Sequence, residues 1–303
     1  MTIRFDQRVA IVTGAGVGLG REHAMLLAER GAKVVVNDTG AGVDGRGTDP
    51  SVAERVASEI RARGGQALAS HDDIADPAAA RRLVESAVSA FGRLDIRVNN
   101  AGILRDRSFA KLELVDFEAV VRVHLMGTVN VSHAAWPLLN QQKYGRIVVT
   151  TSVAGSNGNF GQTHYGAAKM AVLGFMNCLA LEGRKNGVLV NAISPAATTR
   201  MTEPLLPPEV AAHLGTRLVA PAVAWLCSEQ CQATGQIILA SAGGFSRMQF
   251  FETQGVQFDP AQPVTIEMFD SAFAQIADLG TAVPSPLGHL GNAKERLEAI
   301  GRI

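Results

Sequence analysis

The chain has 303 residues, 47% of them hydrophobic, and its 28 basic and 28 acidic side chains cancel. That length buries a substantial core in one large α/β domain or two small ones, and a neutral chain without a basic block argues against a nucleic-acid surface. No apolar run reaches transmembrane length, and the opening MTIRFDQRVAIVTG enters a strand at once, without the layout of a signal peptide.

Short β-branched runs predict strands at 8–13, 33–38, 66–70, 94–100, 145–152, 188–194 and 235–241. Between them lie helical stretches with apolar residues three and four apart, such as REHAMLLAER and PAAARRLVESAVSAF. This alternation implies α/β architecture, a parallel sheet covered by helices on both faces. Right-handed crossovers favour a doubly wound, Rossmann-type sheet of about seven strands. The glycine-rich run TGAGVDGRGTDP (39–50) reads as a flexible surface insertion, because no helix start cradles it. After about residue 242 the alternation stops; 264–279 predicts one more helix and the rest a loosely held tail. The expectation is a single dinucleotide-binding catalytic domain, with a core over 6–245 and an extension over 246–303.

Residues 11–20, IVTGAGVGLG, read as a strand, a glycine turn and a helix start. The pattern G-x-G-x-x-G fails because Leu19 holds the last glycine position; Gly14-x-x-x-Gly18-x-Gly20 fits instead. Glycines let the backbone turn tightly and approach a pyrophosphate, whose charge rests on helix N-terminal amides. Val17, Gly18, Leu19 and Gly20 are therefore cofactor candidates along with Gly14. The second strand ends at Asp38, where a carboxylate accepts from adenosine ribose hydroxyls and repels a 2′-phosphate. No basic residue offsets it, which favours NAD over NADP. Asp73 and Ile74 follow the third strand, where a carboxylate can meet the adenine amino group. Asn100, Ala101 and Gly102 close the fourth, where small residues permit close approach.

At the chemical end, Ser152 closes the fifth strand, on the side where open parallel sheets bind ligands. Tyr165 and Lys169 in GNFGQTHYGAAK share one helix face at a spacing of four. An ammonium near the phenol, joined by an oxidised nicotinamide, would favour phenolate and bring Tyr165 into range as acid or base. Ser152 would hold the substrate oxygen, and Lys169 has donors left for the nicotinamide ribose.

The glycine turn, Asn99–Gly102, Ser152, Tyr165 and Lys169 together resemble the short-chain dehydrogenase/reductase family over residues 6 to 245. The resemblance implies cofactor binding and Ser-Tyr-Lys chemistry at the matched positions. Many members carry an asparagine where this chain has His124; the histidine serves the proton relay or is a packed core residue, and both readings stay open. Pro195-Ala196 stands where a Pro-Gly pair is usual, with the nicotinamide contact expected around Ala196–Thr198. Longer stretches, among them VNDTG, NNAGILRDRSF and VHLMGTVNVSHAAWP, resemble one subgroup that shares the histidine. It comprises the (3R)-hydroxyacyl-CoA dehydrogenase part of peroxisomal multifunctional enzyme type 2 and its stand-alone bacterial relatives. This likeness implies NAD-dependent 3-hydroxyacyl-CoA/3-oxoacyl-CoA interconversion. The other parts of the multifunctional enzyme are missing and the last three residues are not a peroxisomal address, so a bacterial cytoplasmic enzyme is expected.

The segment AATTRMTEPLLPPEVAAHLG after Pro195 is expected to be a substrate lid or a packed connection. Phe160, Leu205 and Leu206 are candidate apolar walls. The apolar faces of helices over 118–142 and 163–185 pair across a two-fold axis in the family, implying a homodimer or homotetramer. Cys178, Cys227 and Cys231 are expected to be buried free thiols, with no clustered histidine to finish a metal site. Alternatives are a 17β-hydroxysteroid dehydrogenase, a 3-oxoacyl-acyl-carrier-protein reductase and a non-catalytic nucleotide-binding regulator.

Overall fold

In the computed structural model, which describes residues 2–203, 206–288 and 293–302, the β-branched runs form a sheet of mainly parallel strands. These are β1 (Val9–Thr13), β2 (Lys33–Asn37), β3 (Gln66–Ser70), β4 (Ile96–Asn99), β5 (Gly145–Thr150), β6 (Val188–Ala196) and β7 (Ile237–Ser241). An eighth, β8 (Gly244–Met248), adds to the edge, giving the order β3-β2-β1-β4-β5-β6-β7-β8. The strands from β1 to β7 pair parallel, as buried crossovers require. β1 and β5 are buried at every residue because helices cover both faces. Strand order reverses between β1 and β4, so the crevice beyond their C-terminal ends is where ligands bind in such sheets.

The covering helices include α1 (Gly18–Glu29), α2 (Ser51–Ala62), α3 (Pro77–Phe91), α4 (Leu114–Val121), α5 (Gly127–Gln142), α6 (Val153–Ser156), α7 (Thr163–Arg184), α8 (Pro208–Ala211) and α9 (Ala220–Cys227). Helix α3 shows why they form. The Asp76 carboxylate accepts from the Ala78 and Ala79 amides, Pro77 starts the helix, and Gly92 ends it at a φ of 82°. Its buried stripe of Ala79, Ala80, Leu83, Val84 and Ala87 faces the sheet, Leu83 and Val84 each contributing roughly 1.5–3 kcal/mol by burial.

Several expectations change on inspection. The fourth strand is shorter than 94–100, because Asp95 turns its carboxylate to the Val9 amide, Arg8 and Arg93. β8 escaped the sequence reading because it is largely exposed and lacks apolar alternation; it follows Ala242 and Gly243 at φ 50° and 80°, the hairpin-turn region. The helix expected over 118–142 is interrupted by a π-helical turn, Arg122–Met126, centred on His124. The 39–50 run is seated and not free: the Leu104 amide donates to the Val43 carbonyl at 2.9 Å and Gly42 to Arg46 at 2.9 Å. Cys178 is exposed, whereas Cys227 and Cys231 are buried, the latter beyond the end of α9.

The chain divides into two compact units, Met1–Arg247 and Met248–Ile303. The second holds α10 (Ile266–Ile276), where 264–279 predicted a helix, and an antiparallel pair, β9 (Phe251–Glu252) with β10 (Val283–Pro284). No described residue of this unit is buried, so its apolar side chains, Ile266, Phe269 and Phe273 among them, stand exposed. No helix among the described residues is long and apolar enough to cross a membrane.

One core residue opposes folding. Arg97 in β4 is fully buried, its guanidinium bonds only the Asn99 side chain, and Nε and Nη1 have no partner. Burial pushes this guanidinium down to about 9. A buried charge without a counter-ion costs several kcal/mol. Arg97→Leu is therefore expected to stabilise the protein by about 1–3 kcal/mol, read as a higher melting temperature; a lower one would show that the guanidinium carries a favourable interaction.

Candidate active site

The turn from β1 into α1 is shaped by two close approaches and one open position. Gly14 has a φ of 62°, and a Cβ there would stand 2.7 Å from the Ala101 Cα. A Cβ on Gly20 would run into the Gly14 carbonyl, so the helix can lie on the turn only with glycine there. Gly18, at φ 57°, faces open space apart from the Thr199 side chain at 3.6 Å. Val17 gives α1 no side-chain cap, and its first turn holds no acid. This open cradle with uncapped amides fits a dinucleotide pyrophosphate. Leu19 packs against the core, leaving only its backbone for such a role.

Asp38 is fixed by the same turn. Its Oδ2 accepts from the Gly16 amide at 2.9 Å and its Oδ1 from the Gly40 amide at 2.8 Å. Each oxygen keeps a further acceptor site, as ribose hydroxyls need. Gly16, which the sequence reading left without a role, is required because a Cβ there would press on the Asp38 carboxylate and Val52.

The exit from β4 locks onto the turn. Asn100 donates from Nδ2 to the carbonyls of Gly14 at 3.0 Å and Thr13 at 3.2 Å, and Thr13 Oγ1 accepts from the Asn100 and Ala101 amides. The Asn100 amide nitrogen is thus engaged by the turn, and the expected cofactor contact is left to its backbone and side-chain oxygen. At Gly102 the structure adds a further reason for a small residue: a Cβ would enter the His124 ring. Asp73 is exposed and closes its own turn, accepting from the Ala75 amide at 2.9 Å; Ile74 is buried, and its carbonyl accepts from Asn130 at 3.0 Å.

Ser152 lies just past β5, where its Oγ accepts from the Ala154 amide at 3.1 Å and caps α6. Tyr165 is in the first turn of α7 and Lys169 one turn on. Lys169 is buried and donates from Nζ to the Thr150 carbonyl at 2.7 Å, while Thr151 Oγ1 donates to the Lys169 carbonyl at 2.9 Å. Burial pushes the ammonium down to about 7. Its Nζ stands 5.5 Å from the Tyr165 ring centroid. The phenol is pushed upward, first by burial and further by Asp106, with the Ser152 hydrogen bond pulling the other way. The structure therefore brings Ser152, Tyr165 and Lys169 together, but among the protein's own groups burial outweighs the activation expected from Lys169.

His124 meets this centre edge-on, its ring 5.2 Å from that of Tyr165 at 90°. Its Nε2 lies 3.0 Å from the Ile103 nitrogen and 2.8 Å from the Ile103 oxygen, and can serve one at a time; buried Nδ1 has no partner. Burial, then the Lys169 charge, push it well below the usual range, so the ring is neutral. His164, absent from the sequence candidates, accepts the Tyr165 amide at Nδ1 (2.9 Å) and donates from Nε2 to the Arg105 carbonyl (3.0 Å), which fixes one neutral tautomer.

Thr198 is engaged within its own segment. Its hydroxyl donates to the Ala211 carbonyl at 2.8 Å and its amide to Leu214 at 2.7 Å, so both groups hold the segment around α8. Pro195 and Ala196 end β6, with Ala196 exposed. Phe160 is 90% exposed, Leu206 half-buried, and Leu205 lies outside the described residues. A separate cavity of about 380 Å³, lined by Arg4, Met25, Lys33, Arg63 and Gly65, contains none of these residues.

Residues 8–209 match the family described as short chain dehydrogenase. The chain is 45% identical to peroxisomal multifunctional enzyme type 2 of Drosophila melanogaster over 97% of its own length, and spans about half (48%) of that relative. The full-length structure of that enzyme superposes with a TM-score of 0.80, covering 98% of this chain and 49% of that one. A short-chain type dehydrogenase/reductase of Mycobacterium tuberculosis is 46% identical, covering 91% of this chain and 96% of the relative. A 7α-hydroxysteroid dehydrogenase complexed with NADH and 7-oxo glycochenodeoxycholic acid is similar at a TM-score of 0.72 and 32% identity, over 80% of this chain and 95% of that one.

The seating of Lys169 yields a measurable conflict between stability and chemistry. Its folded value of about 7 lies below the unfolded value, so the unfolded chain binds the extra proton from pH 7 up to about 10, and stability rises across that window. Lys169→Met should raise the melting temperature at pH 7 by the equivalent of on the order of 2 kcal/mol. The gain should shrink as pH approaches 10; equal or lower stability at pH 7 would refute the burial cost.

Proposed function

The chain belongs to the short-chain dehydrogenases, oxidoreductases acting on CH–OH groups, and on that premise we propose that it interconverts (3R)-3-hydroxyacyl-CoA and 3-oxoacyl-CoA with NAD. The observation that carries the chemistry is the meeting of Ser152, Tyr165 and Lys169 past the end of β5. NAD, in preference to NADP, is supported by Asp38, whose carboxylate is held at the end of β2 by two backbone amides. The acyl-CoA substrate is supported by the extended similarity to the multifunctional enzyme. A steroid alcohol is the second reading, supported by the similarity to the 7α-hydroxysteroid dehydrogenase. A homodimer or homotetramer in the cytoplasm completes the proposal.

Bound in the cradle, the dinucleotide would supply the hydride acceptor, or in reverse the donor. Everything else falls to the protein. The Ser152 hydroxyl donates to the substrate oxygen and stabilises it as negative charge develops. Tyr165 takes the hydroxyl proton at its phenolic oxygen during oxidation and returns it during reduction. Lys169, held on the Thr150 carbonyl, has further donors for a ribose hydroxyl and favours phenolate to the extent that it is protonated. His124 is kept neutral by burial and the Lys169 charge, and His164 is held by the Tyr165 amide and the Arg105 carbonyl; both pack around the phenol.

Tyr165→Phe is expected to lower kcat by about 10²–10⁴ or more while NAD affinity stays within roughly threefold; full turnover in the variant would end the acid–base assignment. Asp38→Ala should move the cofactor preference toward NADP by about tenfold or more, the scale of one lost charged hydrogen bond. An unchanged NAD/NADP ratio would remove the ribose contact. Steady-state rates with NAD on 3-hydroxyacyl-CoA thioesters of several lengths, beside hydroxysteroids, decide between the two substrate classes.

A further inference from the structure

Residues 103–107 leave β4 without regular secondary structure, yet each is held. His124 takes the Ile103 backbone, and the Leu104 amide donates to the Val43 carbonyl at 2.9 Å. Arg105 donates to the Asp44 carbonyl and to the Asp116 carboxylate, both at 2.8 Å, and its own carbonyl accepts from His164. The Arg107 amide donates to the Gly161 carbonyl at 3.0 Å. Asp106 is therefore bracketed by two residues that both touch the start of α7.

Its carboxylate completes the contact. Oδ2 accepts from Gln162 Nε2 at 2.7 Å, and Gln162 Oε1 accepts from Asn159 Nδ2 at 3.0 Å. Gln162 is buried just before the helix that carries Tyr165 three residues later, and these two bonds give its side-chain amide one fixed orientation. The second carboxylate oxygen, Oδ1, is buried without a hydrogen-bond partner. A buried acceptor left unmade costs about 1–3 kcal/mol. An arrangement that needed only to anchor Gln162 would be met by a neutral amide or hydroxyl.

We propose that Asp106 is a positioning residue of the catalytic cleft: it clamps Gln162 at the start of α7 and sets a fixed negative charge beside the Tyr165 phenol. The other groups around that phenol do not supply this charge. Lys169 on the same helix is cationic when protonated, and His124 and His164 are neutral. Arg105 is paired with Asp116, Arg107 is exposed, and Ser152 is uncharged. Asp106 accordingly adds to burial in opposing phenolate, against the Ser152 hydrogen bond. The phenol stays a proton donor until positive charge, such as an oxidised nicotinamide ring, enters the cleft. The tyrosine's ionisation is thereby tied to the charge of what is bound there. This deepens the proposed function and rests on its assignment of Tyr165 as the acid–base group.

The test uses a peculiarity of composition. The chain has two tyrosines. Tyr144 lies under Arg8 at 3.7 Å and Arg146 at 4.5 Å, and its hydroxyl has no partner. Tyr144→Phe keeps that ring and leaves Tyr165 as the only phenol, so phenolate absorbance of the cofactor-free protein reads it directly, with circular dichroism checking the fold at each pH. In this background Asp106→Asn is expected to lower the titration midpoint by roughly 0.5–1 unit, and the alkaline limb of kcat/KM should move the same way. Asp106→Glu, which keeps the charge, should hold the parent midpoint, and Gln162→Met should raise the substrate KM severalfold without moving it. An Asn variant that titrates with the parent, or a Met variant that shifts as far as the Asn variant, overturns the proposal. Both outcomes are independent of turnover, whereas the acid–base assignment itself fails only through an active Tyr165→Phe.

Discussion

The Lys169 ammonium buried on the Thr150 carbonyl fixes the geometry on which the site depends. It makes α7 cross the C-terminal end of β5 at one height, and Thr151 secures the same contact from the other partner by donating to the Lys169 carbonyl. Small residues make the approach possible: a Cβ on Gly155 would stand 2.9 Å from the Met170 nitrogen, and one on Gly166 2.8 Å from the Ala154 oxygen. With the helix seated, Tyr165 can only stand one turn earlier, over the crevice that begins where strand order reverses. Ser152, at the end of the same strand, then needs no further placement.

Much of this was legible in the sequence because it is written in local patterns. Seven strands stand near their expected places, since β-branched runs buried on both faces have few other uses. The glycine turn was readable because backbone that must bend left-handed or touch other backbone admits little else at positions such as Gly14 and Gly20. What stayed hidden depends on partners distant in the chain. Nothing in NNAG shows that Asn100 serves the turn, or that Gly102 is small to admit the ring of a histidine about two dozen positions later. Thr198 reads as a cofactor contact in the sequence, yet its hydroxyl is engaged by Ala211. Gln162, His164 and Asp106 lie inside the stretches GNFGQTHYGAAK and NNAGILRDRSF, but nothing local there assigns them a role, which appears only once the segment after β4 lies against the start of α7.

Uncompensated polar atoms gather around the chemistry. His124 Nδ1, Asp106 Oδ1, Asn99 Nδ2 and Thr150 Oγ1 are all buried without partners, on the elements that carry or contact Ser152, Tyr165 and Lys169. Together with a lysine pushed toward losing its charge and a phenol kept from gaining one, they mark a region where the protein accepts instability. Arg97 in β4 and His23 in α1 show the same habit elsewhere, so the pattern becomes informative only where the orphan atoms also border a cleft.

The unassuming stretch from Ile103 to Arg107 has a kinetic consequence. Its amides at Leu104 and Arg107 donate to carbonyls of Val43 and Gly161, which belong to pieces of chain far apart in sequence. Solvent deuterium replaces each of those hydrogens only after its own carbonyl partner is released, so a connector without helix or strand carries protected amides. Leu104 therefore reports the release of the loop that carries Val43, and Arg107 the release of the approach to the tyrosine helix.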